Sequence, residues 1–387
     1  MGLFTGFHLR LAEQSPRCLA TKYMVCPIYL TNSIRNVGEK IRVTPGKDGE
    51  EALMATVAIN GLGRIGRAAL KVILETPELE LKAVNDLIPV DNLVYLLRYD
   101  TVYGRYEKAV AQTKNGLSVD GIEYPVFSEK DPANLPWKDL GVDIVFECTG
   151  VFRKKAGLEK HLQAGAKHVI LSAPSKSEDV PMVVHKVNRL DPAPSMFSCA
   201  SCTTNCITPV VEVVGRRVGI DKATMTTIHA YTTSQTIVDG PRKKWRRGRA
   251  GAANFVPTST GAAQATTKAL PQYSGKFDGV AVRGPVPVGS IADMVFLTSR
   301  QTSVDEVNDI FREESAGDSY QGILGVTEDP IVSSDIIKDP RASIVDLTMT
   351  QVVDGDLVKI MSWYDNEWGY TNQMVREGLR IAKDLAA

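Results

Sequence analysis

The sequence predicts an α/β protein that begins with a doubly wound parallel sheet and continues into an α+β domain with a large mixed or antiparallel sheet. Between residues 55 and 172, short β-branched or apolar runs alternate with helical stretches, a pattern typical of parallel sheets. Beyond about residue 200 the apolar runs become longer, and fewer helices separate them. A length of 387 residues also suggests about two domains.

The elements can be placed in order along the chain. In the first domain, strands are predicted at 56–60, 81–85, 142–148 and 168–172, and helices at 64–75 and 157–164. In the second, a helix follows from Cys202 to Arg217, and strands are predicted at 225–228, 279–283, 291–299 and 357–363. Apolar spacing in 367–387 predicts a terminal helix. The predicted domains are therefore 54–201 and 202–366, with helix 367–387 packing back on the first.

The first 53 residues differ from the rest. They lack sustained periodicity, and residues 44–51 form a polar stretch typical of a linker. The basic start is faintly like a targeting peptide but lacks the apolar core and cleavage site of a secretory signal. Met54 stands immediately before the first strand. We therefore expect 1–53 to be an extension without fixed structure, or the product of a start placed too early.

Composition excludes several classes of protein. Lys plus Arg and Asp plus Glu both number 45, and this balance argues against a nucleic-acid binder. Apolar runs long enough to span a membrane are missing from the sequence. Three of the six cysteines crowd into residues 199–206, but the four ligands of a zinc site are not present there. Reduced thiols in a cytoplasmic enzyme without a metal fit best.

A glycine-rich turn predicts a dinucleotide site. Gly61, Gly63 and Gly66 form G-x-G-x-x-G between a predicted strand and helix. This is the Rossmann arrangement, in which the glycines permit a tight turn, close backbone approach to pyrophosphate and close helix packing. Asp86 follows at the end of the second strand, where a carboxylate would bind ribose hydroxyls and favour NAD over NADP. The alternative is a tight turn with Asp86 capping a loop.

Cys202 is the candidate nucleophile. It lies at the predicted start of a helix, where the dipole and free N–H groups favour a thiolate. His229, near a predicted strand end, is the best available base by elimination, although a lone histidine is more often structural. Cys199 and Cys206 are predicted to be small, buried side chains. A thiolate beside a nicotinamide could attack an aldehyde, pass hydride to NAD and leave a thioester for phosphate or water to discharge.

The runs NGLGRIGR, SCTTNC, TIHAY, STGAA and WYDNEWGY, in this order, resemble the phosphorylating glyceraldehyde-3-phosphate dehydrogenases, and the similarity covers residues 55–387. The resemblance implies the same roles for Cys202 and His229. It also implies that the attacking phosphate contacts Ser201, Thr203, Thr260 and Gly261. The phosphate of the substrate would contact Thr232, Arg247 and Arg283. For NAD it adds positions along the turn, the nucleotide path and the nicotinamide: Arg64, Ile65, Thr149, Ser172, Asn366 and Tyr370.

The resemblance further implies a homotetramer, because the basic loop 231–254 meets a neighbouring subunit's cofactor site in the family. Nucleic-acid contact from this loop is the weaker interpretation. Gly240 replaces a larger apolar residue of some NAD-specific members, so strict NADP exclusion does not follow. Residues 284–290 (GPVPVGS) depart from the family's usual run, and Cys199 replaces a common Asn.

Two other functions compete with this hypothesis. An erythrose-4-phosphate dehydrogenase would share the architecture but discharge the thioester with water, and its relatives lack the STGAA pattern kept at 259–263. A non-catalytic binding paralogue is the second. Retention of Cys202, His229, Arg283 and Asn366 together argues against it.

Overall fold

A computed structural model of the protein describes residues 54–386. The prediction for 1–53 lies outside these residues, and so does the last residue of the predicted terminal helix. The described residues form one compact unit. Among the described residues, no helix is long and apolar enough to cross a membrane.

The first part of the chain contains ten strands and three helices within the described residues: β1 (Ala55–Asn60), α1 (Arg64–Ile73), β2 (Leu79–Asn85), α2 (Val90–Arg98), β3 (Tyr99–Asp100), β4 (Gly104–Arg105), β5 (Val110–Gln112), β6 (Gly116–Val119), β7 (Ile122–Phe127), β8 (Ile144–Glu147), α3 (Lys155–Gln163), β9 (His168–Leu171) and β10 (Met196–Ser198). Eight of the strands form one sheet in the order β10-β9-β8-β1-β2-β7-β6-β5. Its central pairs, from β10 to β7, are parallel. The predicted parallel sheet is therefore confirmed.

Within the described residues, the second part has a sheet of its own and four α-helices: α4 (Cys202–Arg217), β11 (Lys222–Ala230), β12 (Val256–Ser259), α5 (Ala262–Ala269), β13 (Phe277–Gly284), β14 (Ser290–Leu297), α6 (Val304–Ala316), β15 (Leu324–Thr327), β16 (Ser343–Asp346), β17 (Gln351–Val353), β18 (Leu357–Tyr364) and α7 (Trp368–Ala386). The order is β12-β13-β11-β14-β18-β16-β15, with β17 on β18. Parallel and antiparallel pairs both occur, as at β11–β13 and β11–β14. The sheet is therefore mixed, which is one of the two forms predicted from the sequence, mixed or antiparallel.

One edge of the first sheet was not predicted. Strands β5, β6 and β7 pair antiparallel, and β6 turns into β7 through Asp120 and Gly121, both at positive φ. Asp-Gly between alternating residues is a strong hairpin signal. That dipeptide, visible in the sequence, could have found this edge.

Helix α7 returns to the first sheet. Its Met374, Val375, Ile381 and Ala382 are buried in the core that contains β1, β2 and α1. Cys202 contacts this core and also the core of the second sheet. The start of α4 therefore lies where the two sheets meet, and this position is what builds the candidate site.

Candidate active site

The start of α4 presents Cys202 to a cavity. Ser201 is the N-cap, and its hydroxyl accepts a hydrogen bond from Thr204 N at 3.2 Å, which satisfies one of the free N–H groups of the first turn. Ala200 just before it has φ 56°, so the chain turns sharply between β10 and α4. Cys206, one turn further, is fully buried between Ser343 and Ser362, as predicted for a small core side chain.

His229 faces this cysteine from the end of strand β11. Its Nε2 lies 3.3 Å from Cys202 Sγ. The other ring nitrogen, Nδ1, lies 2.7 Å from Ala230 O. The ring also packs edge-on against Tyr364, with 6.0 Å between ring centroids. The two side chains that the sequence paired therefore lie within proton-transfer distance.

Burial dominates the protonation of both groups. It raises the pKa of the Cys202 thiol, although Arg283 and the N–H groups at the helix start act in the opposite direction. The N–H groups at the helix start therefore lower the pKa of Cys202 as predicted, but burial raises it by more. Burial, followed by the charge of Arg283, lowers the pKa of His229 to about 3. The pair therefore rests as a thiol and a neutral imidazole.

Arg283 is the cation closest to this pair. It lies on β13 directly beside His229 in the parallel register. Its Nη1 lies 2.7 Å from His229 Nδ1 and donates to Ala230 O at 2.8 Å. Within residues 54–386, its buried Nε has no hydrogen-bond partner. A buried donor without a partner is costly, so this guanidinium is suited to receive an anion.

A cavity of about 270 Å³ brings these groups together with much of the predicted cofactor set. Its lining includes ten of the predicted residues: Arg64, Ile65, Ser172, Ser201, Cys202, His229, Thr232, Arg283, Asn366 and Tyr370. A second cavity, of about 330 Å³, is lined by four more: Gly61, Gly63, Asp86 and Thr149.

The glycine turn suits a pyrophosphate. A Cβ on Gly63 would meet nothing within 4 Å, so the backbone there is open to a ligand, whereas one on Gly66 would stand 1.8 Å from Gly61 O. Gly63 caps α1, and no side chain among the described residues satisfies the first N–H groups of that helix. Asp86 accepts from Leu62 N at 2.5 Å and from Ile88 N at 2.9 Å. The residues present therefore fit a dinucleotide.

Five predicted residues line neither cavity. Gly66 is buried inside α1, as its packing role requires. Thr203 is buried, and its hydroxyl lies 2.8 Å from Tyr364 Oη. Arg247 donates to Thr258 Oγ1 at 3.1 Å. Thr260 and Gly261 lie just before α5, where Thr260 Oγ1 accepts from Ala262 N at 3.2 Å.

Sequence reasoning missed the acids that fix Arg64. Glu367 accepts from Arg64 Nε at 2.9 Å, and Asp100 pairs with Nη1 of the same guanidinium. Glu367 lies inside the WYDNEWGY run, so that motif could have marked the residue, although not its partner. The contact ties the start of α1 to the start of α7 across 303 positions of sequence, and no local pattern reveals such a pair.

A buried polar group beneath the turn was also missed. Glu147 is fully buried at the end of β8. Its carboxylate accepts from Asn60 Nδ2 at 2.6 Å and from Thr149 N at 2.9 Å, and it lies 3.1 Å from His161 Nε2. An acid within the apolar run FEC is the signal that could have drawn attention to it, because buried charges need dedicated partners.

The fold and site together define an NAD-dependent dehydrogenase in which a cysteine and a histidine lie side by side in one cavity. Comparison with known proteins gives the family. Residues 55–155 match the model described as glyceraldehyde 3-phosphate dehydrogenase, NAD binding domain, and residues 201–366 match its C-terminal domain. The chain belongs to the glyceraldehyde-3-phosphate dehydrogenase family, and it is an NAD-dependent oxidoreductase that acts on an aldehyde.

Similarity to individual proteins supports the same family. The chain is 50% identical over 322 residues to glyceraldehyde-3-phosphate dehydrogenase 2 of Streptomyces avermitilis, covering 82% of this chain and 96% of the relative. It is 49% identical over 325 residues to the Thermotoga maritima glyceraldehyde-3-phosphate dehydrogenase, covering 83% and 97%. For glyceraldehyde-3-phosphate dehydrogenase 1 of Bacillus subtilis the identity is 45% over 329 residues, covering 84% and 98%.

Proposed function

We propose that the chain oxidises D-glyceraldehyde 3-phosphate with NAD and inorganic phosphate to 1,3-bisphosphoglycerate, in glycolysis or gluconeogenesis, through covalent catalysis by Cys202. The observation that carries the proposal is the 3.3 Å contact between Cys202 Sγ and His229 Nε2 inside the cavity. The thiolate attacks the aldehyde carbon and forms a hemithioacetal. NAD held in the cleft would supply the hydride acceptor for that carbon, and phosphate would cleave the thioester left on Cys202.

His229 serves as the base in this scheme. Its pKa of about 3 keeps the ring neutral at physiological pH, so Nε2 can accept a proton. It takes the thiol proton, returns it to the oxyanion as the hemithioacetal forms, and takes the hydroxyl proton when the hydride leaves. That requires the tautomer in which Nδ1–H donates to Ala230 O. Since a guanidinium can only donate, Arg283 opposes this tautomer while its Nη1 stays 2.7 Å from Nδ1. We expect the substrate phosphate to draw Arg283 away and so release the base.

The phosphate of the substrate and the attacking phosphate are bound by different sets of residues. We assign the substrate phosphate to Thr232, Arg247 and Arg283, since Arg offers the forked donor geometry that phosphate recognition uses. We assign the attacking phosphate to the hydroxyl and loop N–H groups of Ser201, Thr203, Thr260 and Gly261. These uncharged donors can hold an anion transiently without trapping it.

For the cofactor we assign two groups of residues along the cleft. The pyrophosphate and adenosine side takes Gly61, Gly63, Arg64, Ile65, Gly66, Asp86 and Thr149, and the nicotinamide side takes Ser172, Asn366 and Tyr370. The open backbone at Gly63 and the uncapped start of α1 support the first group. The shared lining of the Cys202 cavity supports the second.

A phosphate-dependence assay tests the reaction. NADH formation from glyceraldehyde 3-phosphate should require phosphate or arsenate. A rate unchanged by omitting both would reject the proposal in favour of a water-discharged reaction, such as that of an erythrose-4-phosphate dehydrogenase.

A pair of cysteine variants tests the nucleophile. Cys202→Ser should lower kcat by at least about a thousandfold, because a hydroxyl is a far weaker nucleophile at neutral pH. Cys206→Ser, the same change one turn deeper in α4, should retain activity within a few fold. Residual activity in Cys202→Ser close to that of Cys206→Ser would remove Cys202 from the mechanism.

We further propose that the enzyme is a homotetramer in the cytoplasm, with the loop 231–254 at a subunit interface. Large apolar side chains in and beside this loop are strongly exposed in the single chain, among them Ile237 at 89% and Trp245 at 89%. Exposed apolar side chains of this size are typical of protein interfaces. The domain boundaries 54–201, 202–366 and 367–387 remain part of the proposal.

A further inference from the structure

The loop 284–290, which departs from the family's usual run, ends beside Asn366. Ser290 is the first residue of β14 and pairs with Tyr364 of β18, two residues before Asn366. Ser290 and Asn366 are both buried. Gly289 has φ 91°, and a Cβ there would stand 2.2 Å from Ser333 O. Only glycine fits such a position without strain, so the end of this loop packs closely against the backbone of Ser333.

Two donors of this loop converge on one atom. Gly289 N donates to Asn366 Oδ1 at 3.2 Å, and Ser290 Oγ lies 3.0 Å from the same oxygen. A backbone N–H can only donate, so the amide atom that faces the loop must be the oxygen. Ser290 Oγ in turn accepts from Ala230 N at 3.1 Å. Its own proton is therefore available for Asn366.

These contacts decide what Asn366 presents to the cavity that it shares with Cys202. With Oδ1 occupied by two donors, the Nδ2 end is left for the cavity. Within residues 54–386 no hydrogen bond engages that nitrogen. We propose that Ser290 and Gly289 are positioning residues, which lock Asn366 with its NH₂ group as a donor to the carboxamide oxygen of the nicotinamide. The inference rests on the proposed contact between Asn366 and NAD.

The chain from Ala230 through Ser290 to Asn366 gives this lock a second consequence. Ala230 follows His229 directly on β11, so one serine hydroxyl connects the strand that carries the base with the residue that orients the nicotinamide. Both contacts are buried. A hydroxyl that accepts from one partner and donates to the other fixes both at once, which an alanine at the same position cannot do.

Binding measurements with two ligands test the proposal. ADP-ribose contains every part of NAD except the nicotinamide ring, so titration calorimetry with each ligand isolates the ring's contribution. Ser290→Ala should weaken NAD binding by about five- to tenfold, the range for one lost hydrogen bond, and leave ADP-ribose binding unchanged. Ser290→Cys, closer in volume but a weaker donor, should shift NAD binding in the same direction by less.

Ser362→Ala is the matched control, since Ser362 is an equally buried serine whose hydroxyl bonds Ser343 and not Asn366. It should leave the ratio of the two affinities at its wild-type value. An unchanged ratio in both Ser290 variants would overturn the positioning role, as would an equal loss for both ligands. Asn366→Ala separates the two hypotheses. If it also leaves the ratio unchanged, the proposed contact of Asn366 with NAD fails; if it alone changes the ratio, only the positioning role does.

Discussion

At Cys202 two effects compete for the proton. The helix start and Arg283 stabilise the thiolate, while burial favours the thiol and prevails. We predict that iodoacetamide alkylates Cys202 slowly at pH 7 and faster as pH rises through and beyond the ordinary thiol range. Because the pKa of His229 is about 3, no step in rate should appear between pH 5 and 7. Peptide mapping by mass spectrometry would follow the site. A rate that is already constant above pH 6 would contradict this order of effects.

The same depressed pKa of His229 has a consequence for stability. The ring binds a proton more readily in the unfolded chain, so its contribution to stability is complete above the unfolded pKa of about 6.5 and is lost as pH falls towards about 3. We predict that His229→Gln flattens the acid side of the stability curve. Urea midpoints of both proteins between pH 4 and 7 would measure this. Parallel curves for the two proteins would disprove it.

We propose that the charge of Asp86 governs the choice of cofactor. It stands in the second cavity beside the glycine turn, where a 2′-phosphate would meet a carboxylate. We predict that Asp86→Gly raises the ratio of kcat/KM for NADP to that for NAD by about tenfold, which corresponds to about 1.4 kcal/mol. Asp86→Asn keeps the shape and removes only the charge, so it should act in the same direction. Unchanged ratios in both variants would remove Asp86 from cofactor selection.

Residue type and spacing predicted that Cys202 and His229 lie together, but not what surrounds them. Cys202 at a helix start and His229 near a strand end could be read locally. The contact of Arg283 with His229 depends on two parallel strands, β11 and β13, lying side by side, and that register has no local signature. The same holds for Glu367 on Arg64, and for the burial that sets the protonation of Cys202.

Among the elements, the turn from β1 to α1 depends on close packing. A Cβ on Gly66 would stand 1.8 Å from the backbone oxygen of Gly61, so helix and strand would have to separate. We predict that Gly66→Ala lowers the free energy of unfolding by about 2–3 kcal/mol, measured by urea unfolding. Gly63→Ala, with open space around the new methyl group, should cost no more than about 1 kcal/mol, the effect of alanine at an N-cap. Equal losses would contradict the packing argument.

Element prediction succeeded where hydrophobic periodicity was strong. Helix α4 was predicted with the bounds that it has, and the four strands predicted in the second part all lie at or within β11, β13, β14 and β18 with ends shifted by a few residues. The short strands β5–β7 escaped because only part of each is buried, so their sequences carry a weak pattern. Helix α1 ends at Ile73 rather than at residue 75, since Pro77 cannot continue it and restricts the residue before it.

At the scale of the whole molecule, the site exists only because two sheets meet. The glycine turn and Ser172 follow strands of the first sheet, whereas His229 and Arg283 lie on strands of the second. Cys202, at the start of α4, contacts both cores. If substrate and NAD bind as proposed, a hydride donor on the second sheet and an acceptor on the first meet there. The buried face of helix α7 and Glu367, the residue just before that helix, reinforce the junction.

The exposed apolar side chains in and beside the loop 231–254 bear on subunit assembly. Ile237, Val238, Trp245 and Phe255 lie within 19 consecutive positions and are all more than 70% exposed, an arrangement that a subunit interface would bury. We predict that sedimentation at micromolar concentration gives four times the chain mass of 42.2 kDa, and that Trp245→Asp or Ile237→Asp shifts the protein to smaller species, because a buried unpaired charge is costly. Ile122→Asp, the same change at another exposed isoleucine, on β7 at 61% exposure, should leave the mass unchanged. A monomeric wild-type protein, or equal dissociation in the Ile122 control, would show that this loop does not hold subunits together.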